Sequence, residues 1–238
     1  MPKERIDKMI ASTTAHSRKE VKAMLREKRV LVNGNTVTDG AFKLDIAADT
    51  VCIDGVALPM NRYIYLMLNK PQGVVSASRS AAEKTVVDLV PPDLRRDGLF
   101  PAGRLDKDTT GFVLLTNDGD FAHRILSPKN HIQKTYVARL AEPITSEKIA
   151  VLQSGTTLRD GTVLLPASVK IIGEDAQTVQ IKICEGKYHQ IKRMFASVGN
   201  RVTELSRTHM GALPLDSTLA PGACRALTED EVRKICEK

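Results

Sequence analysis

The spacing of apolar residues changes repeatedly along the chain, and these changes predict a fold of short helices and short strands. One apolar stripe with the i, i+3, i+4, i+7 spacing of a helix consists of Ile191, Met194, Phe195 and Val198. Short continuous apolar runs, such as residues 112–115, predict buried strands. Because many short strands accompany few long helices, the pattern predicts an α+β fold on a mainly antiparallel mixed sheet with flanking helices.

The first 59 residues predict a small α/β domain of two short helices and several strands. Ser17 and Glu20 have the spacing of a capping box at the start of the second helix. Asn33-Gly34 follows the apolar run Val30-Leu31-Val32, and Asp54-Gly55 lies between Ile53 and Val56; both pairs are typical of tight hairpin turns.

The second predicted helix lies in a basic segment. Between residues 16 and 30, six basic side chains against two acidic ones give a net charge of +4. The usual role of such a run is a solvated helix face. Two helices followed by Val30-Leu31-Val32-Asn33-Gly34, however, resemble the S4-type RNA-binding domain. That resemblance implies contacts with RNA phosphates from Arg18, Lys19, Lys22 and Arg26.

Residues 60–238 predict one large domain that follows a linker at residues 59–62. Its predicted strands lie at residues 63–68, 112–115, 133–140, 169–172, 179–183 and 201–210, with a hairpin at 156–165. Its predicted helices lie at residues 86–90, 119–126, 145–154, 191–198 and after Thr228.

Composition narrows the class of protein. The 238 residues carry a net charge of +7, which favours an anionic partner such as nucleic acid. Four Tyr, five Phe and no Trp are too few for a broad aromatic stacking surface. The four cysteines form no Cys-x-x-Cys pair, so reduced thiols and no metal site are expected. The sequence shows neither a signal peptide nor a membrane span, so a cytoplasmic protein without membrane contact is expected.

The most informative stretch is a loop that leads into an apolar strand, Gly103-Arg104-Leu105-Asp106-Lys107-Asp108-Thr109-Thr110-Gly111. One interpretation is a polar turn with solvated acids. A calcium loop fails, because Asn117 stands where a bidentate Glu is required. The remaining interpretation is a catalytic carboxylate, Asp106, beside a cationic side chain that favours its ionised form.

This stretch, with Leu114 and Thr116-Asn117-Asp118-Gly119 after it, resembles the signature of the ribosomal RNA pseudouridine synthases. Three more segments resemble that family: Asn69-Lys70-Pro71-Gln72-Gly73, Lys134-Thr135-Tyr136 and Tyr188-His189-Gln190-Ile191-Lys192-Arg193-Met194. The resemblance covers essentially the whole chain, and it is greatest to the bacterial small-subunit (16S) branch.

The resemblance implies a set of site residues. Asp106 corresponds to the essential carboxylate, Tyr136 to a ring that stacks on uracil, and Lys192 to the basic partner of Asp106. Arg193 is the competing partner. Since successive helix residues diverge by about 100°, only one of Lys192 and Arg193 is expected to face Asp106. Arg104 corresponds to the residue that fills the space left by a flipped base, with a salt bridge to a neighbouring acid as the alternative.

The other basic and histidine side chains are not expected to take part in catalysis. The reaction of the pseudouridine synthases needs no histidine, so no catalytic role is assigned to His123, His131 or His189. Phosphate contacts or ordinary surface positions are expected for Arg201, Arg207 and His209.

The reaction that the resemblance implies is the conversion of one uridine of 16S ribosomal RNA to pseudouridine. This isomerisation requires no cofactor and no metal. The expected partner is small-subunit ribosomal RNA, naked or in an assembly intermediate, and the expected state is a monomer. Two alternatives stay open: a large-subunit rRNA pseudouridine synthase, and a non-catalytic ribosome-assembly factor that binds RNA. A glycoside hydrolase using Asp106 and Asp108 is disfavoured, because carboxylates two residues apart on a loop seldom face each other across a sugar.

Overall fold

A computed structural model describes residues 3–14, 16–46, 48–58 and 63–237 of the chain. The chain divides into two compact units. The first comprises Met1–Ile64, Val90–Phe100 and Thr116–Asp118, and the second comprises Tyr65–Leu89, Pro101–Leu115 and Gly119–Lys238. The predicted linker at residues 59–62 lies outside the described residues.

The beginning of the chain forms two helices and six short strands within the described residues. They are β1 (Lys3–Arg5), α1 (Ile6–Thr13), α2 (Arg18–Arg26), β2 (Val30–Val32), β3 (Asn35–Thr36), β4 (Lys43–Asp45), β5 (Val51–Ile53) and β6 (Val56–Ala57). An antiparallel sheet has the strand order β3-β2-β5-β6, and β1 pairs with β4. Both predicted hairpins are confirmed, with positive φ angles at Asn33, Gly34, Asp54 and Gly55.

Helix α2 separates an apolar face from a basic face. The capping box is confirmed: Ser17 Oγ accepts from the Glu20 backbone N–H, and Glu20 Oε2 accepts from the Ser17 backbone N–H. Val21, Met24 and Leu25 are buried in the core of this part of the chain. The basic side chains that the sequence singled out are all exposed: Arg18, Lys19, Lys22 and Arg26.

From residue 63 onward the described chain forms a large sheet, a separate two-stranded sheet of β11 and β12, and four α-helices. The strands are β7 (Tyr65–Lys70), β8 (Phe100–Pro101), β9 (Thr110–Thr116), β10 (Lys134–Leu140), β11 (Thr156–Thr157), β12 (Val163–Leu164), β13 (Ser168–Ile171), β14 (Thr178–Ile183), β15 (Val202–Met210), β16 (Leu213–Pro214) and β17 (Cys224–Ala226). The helices are α3 (Gly119–Leu126), α4 (Ser146–Gln153), α5 (Gln190–Ser197) and α6 (Glu229–Ile235).

The large sheet has the strand order β13-β14-β10-β15-β9-β7-β17, with β16 beside β15 and β8 beside β9. Pairings from β13 through β15 are antiparallel, as is that of β17 with β7, whereas β15 and β9 run parallel. The predicted α+β class with a mainly antiparallel mixed sheet is therefore confirmed. No helix in the described ranges has the length and apolar character needed to cross a bilayer.

Gly111 allows the parallel strands β9 and β15 to approach each other closely. Its φ angle is +97°, and a Cβ atom built there would lie 2.3 Å from the Arg207 carbonyl oxygen and 2.8 Å from Ser206 Oγ. Gly111 is paired with Arg207 across these strands. The glycine of the loop motif is therefore required by the backbone contact that joins the two middle strands of the sheet.

The prediction of a short helix at residues 86–90 is wrong. This segment forms turns, after a bridge that pairs Val75 with Thr85. The Thr85 backbone N–H and hydroxyl both donate to Asp88 Oδ2, at 2.8 and 2.9 Å. Hydrogen bonds of this kind can cap the start of a helix, but Pro91 and Pro92 follow too soon for a stable helix to form.

Candidate active site

The Asp106 loop is held by buried polar side chains of the second unit. Lys70 is fully buried, and its Nζ donates to the carbonyl oxygens of Lys107 at 3.2 Å and Thr109 at 2.7 Å. Burial disfavours the ammonium charge and lowers the pKa of Lys70 to about 8, against the attraction of the nearby Asp108 and Asp106. Ser76 Oγ donates to the Leu105 carbonyl and accepts from the Leu105 N–H, both at 3.0 Å. The backbone is thus fixed on both sides of Asp106.

Asp106 lies beside a lysine that it shares with a second carboxylate. Lys192 Nζ is 3.3 Å from Asp106 Oδ2, and 2.7 and 2.8 Å from the two carboxylate oxygens of Asp108. Burial disfavours the Lys192 ammonium, but hydrogen bonds and charges from Asp108 and Asp106 outweigh it and raise the pKa of Lys192. The hydrogen bond from Lys192 lowers the pKa of Asp108. The site therefore holds an ammonium between two carboxylates, and the ionised form of Asp108 is stabilised by it.

The two candidate partners on helix α5 point in different directions. Lys192 faces Asp106, whereas the Arg193 guanidinium forms an ion pair with Asp160, in the turn between β11 and β12. The rotation of about 100° between successive helix positions accounts for this divergence. Arg193 therefore joins helix α5 to the hairpin.

Tyr136 lies on strand β10, paired with Ile181 of β14 and Arg207 of β15. It is 7% exposed, and its hydroxyl lies 3.5 Å from Arg207 Nη1. Lys134, two residues earlier, is also buried, and burial together with the charge of Arg207 lowers its pKa to about 8. Strand β10 thus carries a buried lysine at Lys134 and a buried tyrosine at Tyr136, and the tyrosine is in contact with a second buried cation, Arg207.

The expectation of a surface or phosphate-contact role for Arg207 is wrong. Its side chain is only 2% exposed, and its Nε donates to the Phe112 carbonyl oxygen at 2.7 Å. Arg207 belongs to strand β15 in the middle of the large sheet, and its guanidinium carbon lies over the Tyr136 ring, 6.0 Å from the ring centroid, rather than in solvent. A basic residue in a polar-looking strand gave no signal of this burial in the sequence.

Asp106 lines a small pocket of about 60 Å³ in the second unit. Its lining includes Arg104, Asp106, Tyr136, His189 and Lys192. Arg104 is exposed and forms no ion pair with any part of the chain that the structure describes, so the salt-bridge alternative for this residue is not observed. Within that same part of the chain, no group of three or more His, Cys, Asp or Glu side chains could hold a metal ion.

Residues 64–197 match the RNA pseudouridylate synthase family, and residues 4–51 match the S4 domain. The first match covers more than half of the chain. The chain belongs to the RNA pseudouridylate synthase family. Enzymes of this family are isomerases, and the S4 match adds an RNA-binding domain at the beginning of this synthase.

Relatives align with this synthase over nearly their whole length. It is 45% identical to an uncharacterised RNA pseudouridine synthase of Bacillus subtilis, with 98% of each chain covered. It is 42% and 41% identical to the ribosomal small subunit pseudouridine synthases A of Salmonella typhimurium and Escherichia coli, with 97% of this chain and 99% of each relative covered. A crystal structure of a pseudouridylate synthase superposes with a TM-score of 0.68 at 38% identity, covering 97% of this chain and 99% of that chain.

His189 is a residue of this synthase that sequence reasoning placed outside the site. Its Nε2 lies 3.6 Å from Asp106 Oδ1, and its backbone adopts a left-handed conformation, with φ +48°, just before helix α5. His123 and His131 do not line the pocket. A left-handed histidine cannot be recognised from periodicity, because only the fold determines which side chain the turn directs toward Asp106.

Proposed function

We propose that this synthase converts a uridine of small-subunit ribosomal RNA to pseudouridine, with Asp106 as the essential carboxylate. The observation that carries the proposal is the Asp106–Lys192 contact of 3.3 Å at a pocket open to solvent. The relatives named as ribosomal small subunit pseudouridine synthase A, at 41–42% identity over nearly the full chain, support the choice of RNA.

The proposed reaction breaks the bond between C1′ of the ribose and N1 of uracil and forms a bond between C1′ and C5. C5 loses its proton and N1 gains one, so no oxidant, reductant or group donor is required. Lys192 places its ammonium 3.3 Å from the Asp106 carboxylate, beside the proposed position of the ribose. The Tyr136 ring, which lines the same pocket, stacks on the detached uracil while the base turns.

We assign residues 1–59 to RNA binding and residues 60–238 to catalysis. Arg18, Lys19, Lys22 and Arg26 contact RNA phosphates, since all four are exposed on one short helix. Arg193, which also holds the β11–β12 hairpin through Asp160, is assigned to RNA binding as well. The protein acts as a monomer in the cytoplasm, without a cofactor or metal.

The substrate is tested by mapping pseudouridine after incubation with small-subunit and large-subunit rRNA, each naked and partly assembled. The proposal expects one modified uridine, in small-subunit RNA alone. Modification of large-subunit RNA alone would instead identify the chain as a large-subunit rRNA pseudouridine synthase. Tight binding without any modification would indicate an assembly factor.

Arg104→Ala is expected to reduce turnover more on folded RNA than on a short unpaired strand. The exposed Arg104 guanidinium is free to enter the space that a flipped base leaves, and flipping from a paired structure costs a few kcal/mol. The measurement is kcat/KM on both substrates, with a drop of about tenfold or more expected on the folded RNA only. An equal loss on both would argue against a role in flipping.

Replacing Arg18, Lys19, Lys22 and Arg26 by Gln should weaken RNA binding and flatten its salt dependence. Each lost phosphate contact reduces the slope of log K against log salt by about 0.7–0.9, so four contacts give a change of about 3. The control replaces four other exposed basic residues, Lys129, Lys170, Arg233 and Lys234. The assignment fails if both variants show the same slope.

A further inference from the structure

Tyr188 is the most exposed of the large hydrophobic side chains in the described chain, with 77% of its surface accessible. It precedes His189, whose imidazole lines the Asp106 pocket. The two rings stack face to face, with centroids 3.8 Å apart and planes 18° from parallel. The Tyr188 ring is therefore separated from the pocket by the one ring on which it stacks, that of His189.

The loop that carries this ring pair is held by a buried polar network. Glu185 is 5% exposed, and its Oε1 accepts from the Leu165 backbone N–H at 2.9 Å and from Gln190 Nε2 at 3.0 Å. The other atom of the Gln190 amide, Oε1, accepts from the Lys187 N–H at 2.9 Å. The Gln190 N–H in turn donates to the Lys187 carbonyl at 3.1 Å. An exposed ring on a loop fixed in this way is pre-organised to bind a planar ligand.

The charges around the ring pair favour an RNA strand. Three basic side chains line the pocket: Arg104, Lys187 and Lys192. Lys187 pairs with Glu185 at 3.4 Å and Lys192 pairs with Asp106 and Asp108, whereas Arg104 forms no ion pair in the described chain. A base that stacks on Tyr188 would place its phosphates within reach of basic side chains, and every nucleobase has a face suited to an aromatic ring. The chain has only nine Tyr and Phe residues and no Trp, which is too few for a row of stacking rings along a single strand. The ring pair is therefore expected to bind one base.

We propose that the stacked Tyr188–His189 pair is a binding site for one unpaired nucleobase of the substrate RNA, adjacent to the uridine held at Asp106. The proposal rests on the proposed function, and it adds a second base to the substrate that the site recognises. The site binds the neighbouring base and leaves the chemical step to the Asp106 pocket.

The test uses short single-stranded RNAs in which one base near the target uridine is replaced by fluorescent 2-aminopurine. Wild type and Tyr188→Phe should quench the probe strongly at one position, because both retain an aromatic face. Tyr188→Ala should lose that quenching and raise KM by about tenfold with little change in kcat. The control is Ile172→Ala, a truncation of another exposed apolar side chain, after strand β13. Tyr188 is so exposed that its truncation leaves folding intact.

Equal quenching and equal KM in wild type and Tyr188→Ala would overturn the proposal, as would the same loss in Tyr188→Phe and Tyr188→Ala. The proposed function is judged separately, from turnover by the wild-type enzyme. If wild type forms no pseudouridine in any RNA, the function fails. The difference in quenching between wild type and Tyr188→Ala still decides whether the ring pair binds a base.

Discussion

Lys192→Met is expected to lower kcat by about 100- to 1,000-fold while RNA affinity changes little. The substitution removes the ammonium that lies 3.3 Å from Asp106 and 2.7 Å from Asp108. Without it, two neighbouring carboxylates repel each other, and one of them holds its proton more tightly. The hydrogen bond from Lys192 lowers the pKa of Asp108, so that pKa should rise in the variant and the acidic limb of the pH–rate profile should move to higher pH with it. Single-turnover rates across a pH series would measure both effects.

Arg193→Met is the matched control, because it removes a cation from the next position of the same helix. Arg193 pairs with Asp160, which is more than half exposed, and such pairs contribute about 0–1 kcal/mol. We expect a change in kcat of less than about fivefold and an unshifted acidic limb. Lys192→Arg should recover part of the activity, since it keeps the charge but not the point geometry of an ammonium. A fully active Lys192→Met and an inactive Arg193→Met would reverse the assignment.

Gly111→Ala is expected to destabilise the second unit by about 3–5 kcal/mol. The added methyl group would lie 2.3 Å from the Arg207 carbonyl oxygen and 2.9 Å from the Arg207 backbone nitrogen. Both atoms belong to the backbone of strand β15, so neither can move without disturbing the strand pairing. The positive φ angle of Gly111 adds strain for any other residue. Urea unfolding at constant pH would measure the change.

Gly119→Ala provides the control for this prediction. Gly119 is the first residue of helix α3, and no heavy atom lies within 4 Å of a Cβ built there. Its replacement should change stability by no more than about 1 kcal/mol. If Gly111→Ala and Gly119→Ala unfold at the same urea concentration, the close approach of β9 and β15 is not the reason for the glycine in the loop motif.

Local signals in the sequence predicted many elements correctly. Asn33-Gly34 and Asp54-Gly55 form the expected tight turns because a type I′ turn requires two positive φ angles. Ser17 and Thr228 cap their helices because each has a Glu three residues later. Each of these features depends on interactions over a few residues, so the sequence contains the information needed to predict it.

Long-range packing accounts for what the sequence did not reveal. Arg207 is buried because strand β15 lies in the middle of the sheet, and a basic residue in an alternating strand predicts exposure instead. His189 is close to Asp106 only because the turn before α5 is left-handed. Lys70 holds the carbonyls of residues 107 and 109, contacts that span nearly 40 positions of the chain. In each case the role depends on a partner that is distant in sequence.

The central claim is that Asp106 drives the isomerisation of uridine, and tritium release from RNA labelled at uridine C5 tests it most directly. Wild type and Asp106→Asn would be compared on the same RNA, with affinity measured in parallel. The account predicts release by wild type, none above background by Asp106→Asn, and equal RNA binding. Release by Asp106→Asn at the wild-type rate would contradict it.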